Sequence, residues 1–289
     1  MLEKIKNYFS LVKFSHTIFA LPFAMVGFFW AWHDLNLTSF PWRVFLLVLL
    51  CMVFARNSAM GFNRYIDRKF DKLNKRTENR EIPKGIITPQ AALAFVIVNC
   101  VLFCVTTFFI NNLTFYLSFV ALAVVLGYSY TKRFTSLCHF VLGMGLAIAP
   151  TGAYIALTGH FALLPVLLSV MVLFWVGGFD VLYALPDENF DKENNLYSIP
   201  AYLGIKNSMI LSAVVHLIPA VIVITIGVMY NRGVIYWVGA IIFITLLIYQ
   251  HIIIKPTDLK RLNAAFATVN GIASVCYALF TITDLFISF

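Results

Sequence analysis

The sequence predicts an all-α polytopic membrane protein with nine transmembrane helices, and three observations predict it. The 289 residues are 61% hydrophobic and only 12% charged, about half the charged fraction of a soluble domain. Apolar runs of about 20 residues recur along the whole chain, and each can cross a hydrocarbon core about 30 Å thick. Basic residues are also lopsided. With the N-terminus placed inside, 18 of the 21 Lys and Arg fall on that side, the bias that orients membrane proteins.

Taken in order, the spans fall at about 16–33, 42–63, 90–110, 113–130, 138–158, 162–181, 207–230, 233–254 and 264–287. Pro22 and Pro219 are expected to kink the first and seventh rather than end them, since membrane helices tolerate proline. Long polar loops join spans two to three and six to seven; most others are short. No low-complexity linker divides the chain, so residues 1–289 read as one domain. The N-terminal MLEKIKNYFSLVKFSH is basic and amphipathic without a small-residue cleavage site after it, so no signal peptide is expected. Cys51, Cys100, Cys104, Cys138 and Cys276 lie in or beside apolar segments and form no metal-type pair. The net charge of +8 follows from the inside bias and requires no nucleic acid. The expected location is a bacterial inner membrane, with the N-terminus and both long loops cytoplasmic.

Nine of the 13 acidic residues gather in those two loops. Asp67, Asp71, Glu78 and Glu81 belong to the first, and Asp180, Asp187, Glu188, Asp191 and Glu193 to the second. Close carboxylates repel unless a cation neutralises them. Asn63, Asp67 and Asp71 repeat every four residues, which stacks them on one helix face. Asp187 and Asp191 repeat the same spacing, and Pro186 predicts a break between them and Asp180. Oxygen-only stripes at the ends of apolar helices suit Mg²⁺, which binds through one or two carboxylates, water and substrate phosphate oxygens. Two facing stripes, with Arg64, Arg68, Lys72 and Lys132 nearby, point to a diphosphate head on an apolar tail lying among the helices and membrane lipid. Metal there stabilises charge on departing pyrophosphate.

Three pieces of sequence carry a family resemblance. The run Asn63-x₃-Asp67-x₃-Asp71 with Arg76-Thr77, Arg80 and Pro83 resembles the first signature of the UbiA superfamily of intramembrane prenyltransferases. Asp180-x₂-Tyr183-Ala184-x₂-Asp187-x₃-Asp191-Lys192 resembles its second, and Tyr128-x₃-Lys132-Arg133 a short third. The resemblance implies a nine-helix bundle with a central cavity capped by the two cytoplasmic loops, and transfer of a prenyl group from an isoprenyl diphosphate to an acceptor with Mg²⁺. It implies that Asn63, Asp67, Asp71, Asp187 and Asp191 hold metal and diphosphate. Asp180 and Tyr128 would line the acceptor or diphosphate region, and Lys132 would touch phosphate. Many members have Asn-Asp where this chain has Asn63-Arg64, so one carboxylate is missing. The segments HTIFALPF from His16 and RNSAM from Arg56 resemble the bacterial 4-hydroxybenzoate-type branch, part of which serves menaquinone synthesis with a dihydroxynaphthoate. Both acids remain open as acceptor; haem, a chlorophyllide or a glycerol phosphate ether are the more distant choices.

Arg56 precedes Asn63 by seven residues, on the same face and about 10 Å deeper. A guanidinium there must face the interior and meet an anion: either a structural partner such as an interior carbonyl or acid, or the carboxylate of the acceptor, which it would orient. His16, near the cytoplasmic end of the first span, reads first as a helix-packing or interfacial histidine and second as a contact to acceptor or diphosphate. Ionisation of the donor then leaves an allylic cation for the ring carbon ortho to the phenol. His139, His160, His216 and His251 are scattered and suggest no metal set. A transporter would place its acids near the midplane, and a scaffold would not need matched aspartates.

Overall fold

The computed structural model of the chain describes residues 7–8, 10–12, 19–259, 261–262 and 264–287. Its helices are α1 (Leu21–Asp34), α2 (Trp42–Leu73), α3 (Pro89–Phe108), α4 (Asn112–Thr131), α5 (Cys138–Thr158) and α6 (Leu163–Tyr183). They are followed by α7 (Glu188–Glu193), α8 (Ile199–Val215), α9 (Leu217–Met229), α10 (Val234–Ile253) and α11 (Asn270–Phe286). Among the described residues, eight candidate spans are long and apolar enough to cross a membrane, with α8 and α9 counting as one. The expected first span is the 14-residue α1, preceded by residues 13–18, which lie outside the described residues. The chain is an integral membrane protein.

Pro22 departs from expectation, whereas Pro219 accompanies a kink inside one continuous span, as expected. Pro22 stands in the first turn of α1 and so starts that helix, where its missing N–H has no intrahelical partner to lose. The seventh span breaks at His216, and Pro219 sits in the first turn of α9. Upstream, Gly204 (φ 74, ψ 168) interrupts α8, a backbone conformation that glycine adopts without a Cβ penalty.

Two compact units emerge: Met1–Thr17 with Trp42–Thr131, and Ile18–Pro41 with Lys132–Phe289. In the first, α2, α3 and α4 pack on one another. Asn57 Nδ2 donates to Asn99 Oδ1 at 2.9 Å, and Asn99 Nδ2 to the Phe95 carbonyl at 2.8 Å, polar links of the kind that join helices in lipid. Thr88 caps α3 by accepting from the Ala91 N–H. The loop before it is held from beneath by Leu11, Ile82, Ile87 and Ala92, and Ser10 Oγ donates to Glu81 Oε1.

In the second unit the core is aromatic and aliphatic: Phe23, Trp175, Phe243 and Tyr277 are fully buried together with Met171 and Ile226. Asp284 of α11 accepts from the Gly233 N–H (3.1 Å) and the Tyr236 N–H (3.0 Å), satisfying the exposed donors at the start of α10. Helices α1 and α5 approach so closely that a Cβ built on Gly27 would lie 2.1 Å from the Pro150 carbonyl oxygen. Gly27→Ala is therefore expected to cost about 1–3 kcal/mol, read as a lower melting temperature in detergent. Gly127→Ala, whose Cβ meets nothing within 4 Å, serves as the control and should melt like the wild type.

Candidate active site

Helix α2 runs unbroken through Asn63, Asp67 and Asp71, so the expected stripe exists. Asn63 Nδ2 donates to Asp67 Oδ2 at 2.9 Å, which ties the two side chains together one turn apart. One turn on, Asp71 is buried and its Oδ1 pairs with Arg80 Nη1 at 2.6 Å. Its Oδ2 is buried without a hydrogen-bond partner among the described residues. Thr77 Oγ1 donates to the Asp71 carbonyl at 3.0 Å, which folds the loop back over the helix end and delivers Arg80.

Arg64 is 3% exposed, and its Nε has no hydrogen-bond partner among the described residues. Its electrostatic neighbours are Arg80, Asp71, Glu81 and Tyr128; Tyr128 is also an electrostatic neighbour of Arg56. The first unit thus gathers Arg56, Arg64, Tyr128, Asp71 and Arg80 into one region. Arg68 does otherwise: its Nη1 donates to the Tyr65 carbonyl and its guanidinium lies 4.5 Å over the Tyr65 ring. His16 lies outside the described residues.

In the second unit the helix ends at Tyr183, and Leu185–Asp187 form one 3₁₀ turn before α7. The break predicted at Pro186 is there. Asp187 and Asp191 are both buried, Asp191 fully. Lys132 Nζ pairs with Asp191 Oδ1 at 2.8 Å, and Ser198 Oγ donates to Asp191 Oδ2 at 2.7 Å. Burial works against the Lys132 charge, but Asp191 and then Asp187 outweigh it and hold its pKa above the ordinary lysine value. Asp180 is only half-buried and lies 2.7 Å from His139 Nδ1. The Tyr197 N–H donates to the Lys132 carbonyl at 2.7 Å, so residues 132–139 and 191–199 are knitted together.

Residue chemistry answers why nine acids share two loops. In each unit a side-chain cation already neutralises a buried aspartate: Arg80 for Asp71, Lys132 for Asp191. Within each unit no three Asp, Glu, His or Cys converge among the described residues. An all-protein cage is therefore absent there, but the donors are oxygens alone, and Asp71 keeps one orphaned buried oxygen. That set fits Mg²⁺, which retains water and takes substrate phosphate oxygens as ligands. Sequence reasoning placed Arg80 only within a motif and missed Ser198 and His139. No spacing marks them, since their partners lie 7 and 41 residues away.

Comparison with known proteins gives the same picture. A model of the UbiA prenyltransferase family matches residues 20–272. The 4-hydroxybenzoate octaprenyltransferase of Tolumonas auensis is 31% identical over 234 residues, covering 81% of this chain and 82% of that protein. Its namesake in Vibrio parahaemolyticus is 26% identical over 273 residues, covering 94% and 95%. Among solved structures, the apo form of a UbiA homolog from Aeropyrum pernix K1 superposes with a TM-score of 0.83 at 29% identity, covering 93% of this chain and 98% of that one. A UbiA homolog from Archaeoglobus fulgidus bound to DMAPP and Mg²⁺ shares the fold at a TM-score of 0.74 and 19% identity, covering 97% and 99%. With a family match across most of its length, this chain is a prenyltransferase and belongs to the UbiA prenyltransferase family.

Proposed function

We propose that the protein transfers a polyprenyl group from an isoprenyl diphosphate to the ring of a 4-hydroxybenzoate-type aromatic acid in quinone biosynthesis, with Mg²⁺ as its metal. The reaction would take place at the cytoplasmic face of a bacterial inner membrane. The observation that carries this reading is the buried guanidinium of Arg64, set beside the Asp71–Arg80 pair at the end of an apolar helix. A cation so placed needs an anion to offset its desolvation, and a diphosphate with a lipid tail supplies one from the membrane side. The names of the curated relatives support the aromatic acid as acceptor.

The residue roles in this reading draw on the sequence motifs, with the contacts within each unit in support. Asn63 and Asp67 in the first, and Asp187 with Asp191 in the second, would hold the metal; Asp71 contributes through its unused oxygen. Bound Mg²⁺ would supply Lewis-acid stabilisation of the departing pyrophosphate. Arg64, Arg80 and Lys132 neutralise phosphate oxygens, while Arg68 backs the site through Tyr65. Arg56, deeper on α2 and close to Tyr128, orients the acceptor carboxylate, and His16 is proposed as a further acceptor contact. Asp180 lines the acceptor side.

The test is a panel assay. Membranes carrying the protein receive Mg²⁺, a labelled polyprenyl diphosphate and a set of aromatic acids. Prenylated 4-hydroxybenzoate is the expected product, and EDTA should abolish it. Labelled dihydroxynaphthoate product alone would move the chain to the menaquinone side, and turnover undiminished by EDTA would remove the metal from the reading.

A further inference from the structure

His139 stands in the first turn of α5 and is 3% exposed. Both of its ring nitrogens are engaged. Nδ1 lies 2.7 Å from Asp180 Oδ2, and the backbone N–H of Ile199, at the start of α8, points at Nε2 from 3.3 Å. A backbone N–H can only donate, so Nε2 must present its lone pair. The ring proton is then on Nδ1 and aimed at Asp180, a tautomer set by the hydrogen bond that the other nitrogen makes.

Two consequences follow. Asp180 has Oδ2 committed as an acceptor, which fixes the plane of the carboxylate while the side chain keeps part of its surface accessible. The imidazole also acts as a stiff spacer between α6 and the N-terminus of α8. Ser198, adjacent to Ile199, caps α8 by accepting from the Ala201 N–H at 3.2 Å while donating to Asp191. The dipeptide Ser198-Ile199 therefore orients Asp191 from one residue and, through His139, Asp180 from the next.

We propose that His139 is a positioning residue: it sets the orientation of the Asp180 carboxylate toward the acceptor and links it through Ser198-Ile199 to the Asp191–Lys132 pair. The identity of that acceptor rests on the function proposed above; the link itself does not.

Two variants separate the two halves of the ring. His139→Asn keeps an N–H near the Nδ1 position and loses the acceptor for Ile199. His139→Gln reaches the Nε2 position with an oxygen and loses the donor to Asp180. In the purified full chain, His139→Asn, which keeps the bond to Asp180 but breaks the tie to Ile199, should lose the smaller factor, about threefold in kcat/KM for the acceptor. His139→Gln should lose about tenfold or more in kcat/KM for the acceptor, the size of one charge-assisted bond, with donor KM unchanged in both. The reverse order, equal losses, no loss in either, or a donor KM that moves with the acceptor value would overturn the proposal. Nitrogen-15 spectra of histidine-labelled wild type read the tautomer without turnover, with His139→Asn identifying the signal. A neutral ring protonated on Nδ1 is expected; one protonated on Nε2 overturns the link even if both variants fail to fold. If no aromatic acid is prenylated by wild type, the acceptor reading fails and these spectra still decide the His139–Asp180 link.

Discussion

Asp67→Ala and Asp187→Ala should each lower kcat by about 10²–10³-fold or more, the loss seen when one charge-stabilising group is removed from a polar reaction centre. The two aspartates are in different units, yet the proposed reaction needs both, so each change alone should be enough. Their losses should also be non-additive, because groups that act as a unit fail as a unit. Asp71→Asn tests the division of labour along α2. It breaks the buried pair with Arg80, which is expected to cost about 3 kcal/mol of stability and to lower the melting temperature clearly. Asp67→Ala, whose carboxylate is less buried, should melt near wild type. Turnover of product by either Asp67→Ala or Asp187→Ala at the wild-type rate would sink the assignment, and kinetics with labelled donor would show it.

Arg64→Met should move activity and stability in opposite directions. The donor KM is expected to rise about 30- to 100-fold, since a charge-assisted hydrogen bond to an anion contributes about 2–3 kcal/mol. The fold should become no less stable, because the removed guanidinium is 3% exposed and its Nε makes no hydrogen bond among the described residues. Burying such a group beside Arg80 costs free energy that Asp71 and Glu81 return only in part. This is the stability–function trade-off expected at a binding site. Arg64→Asp should be worse on both counts: it sets a second buried acid beside Asp71 and Glu81. Donor titration and detergent melting curves on the same preparations give both readings. An Arg64→Met protein with the wild-type donor KM but a lower melting temperature would make Arg64 a structural residue instead.

Most of the fold was legible because lipid leaves the backbone few choices. An apolar run of about 20 residues must be a helix there, so α3, α4, α5, α6 and α10 lie within a few residues of their expected limits. Misreadings occurred where local chemistry was ambiguous. A proline near the end of a hydrophobic run is compatible with a kink or a start, and Pro22 turned out to start α1. Helix α2 outlasts its apolar stretch by about ten residues and carries its polar stripe to Leu73. The four-residue spacing foretold that continuity better than hydropathy did.

For the site, the sequence by itself determined which oxygens could serve: Asn63, Asp67 and Asp71 on one face, Asp187 and Asp191 after a proline break. Repeat spacing encodes a shared helix face directly, and no tertiary information is needed to read it. Only the tertiary structure decided which cation each acid meets. Arg80 rather than Arg68 faces Asp71, Lys132 and Ser198 share Asp191, and His139 holds Asp180. Those partners reach their acids across loops and between helices, where side-chain length and packing choose among several basic residues of equal charge. Composition counts such residues alike; a hydrogen bond of under 3 Å does not.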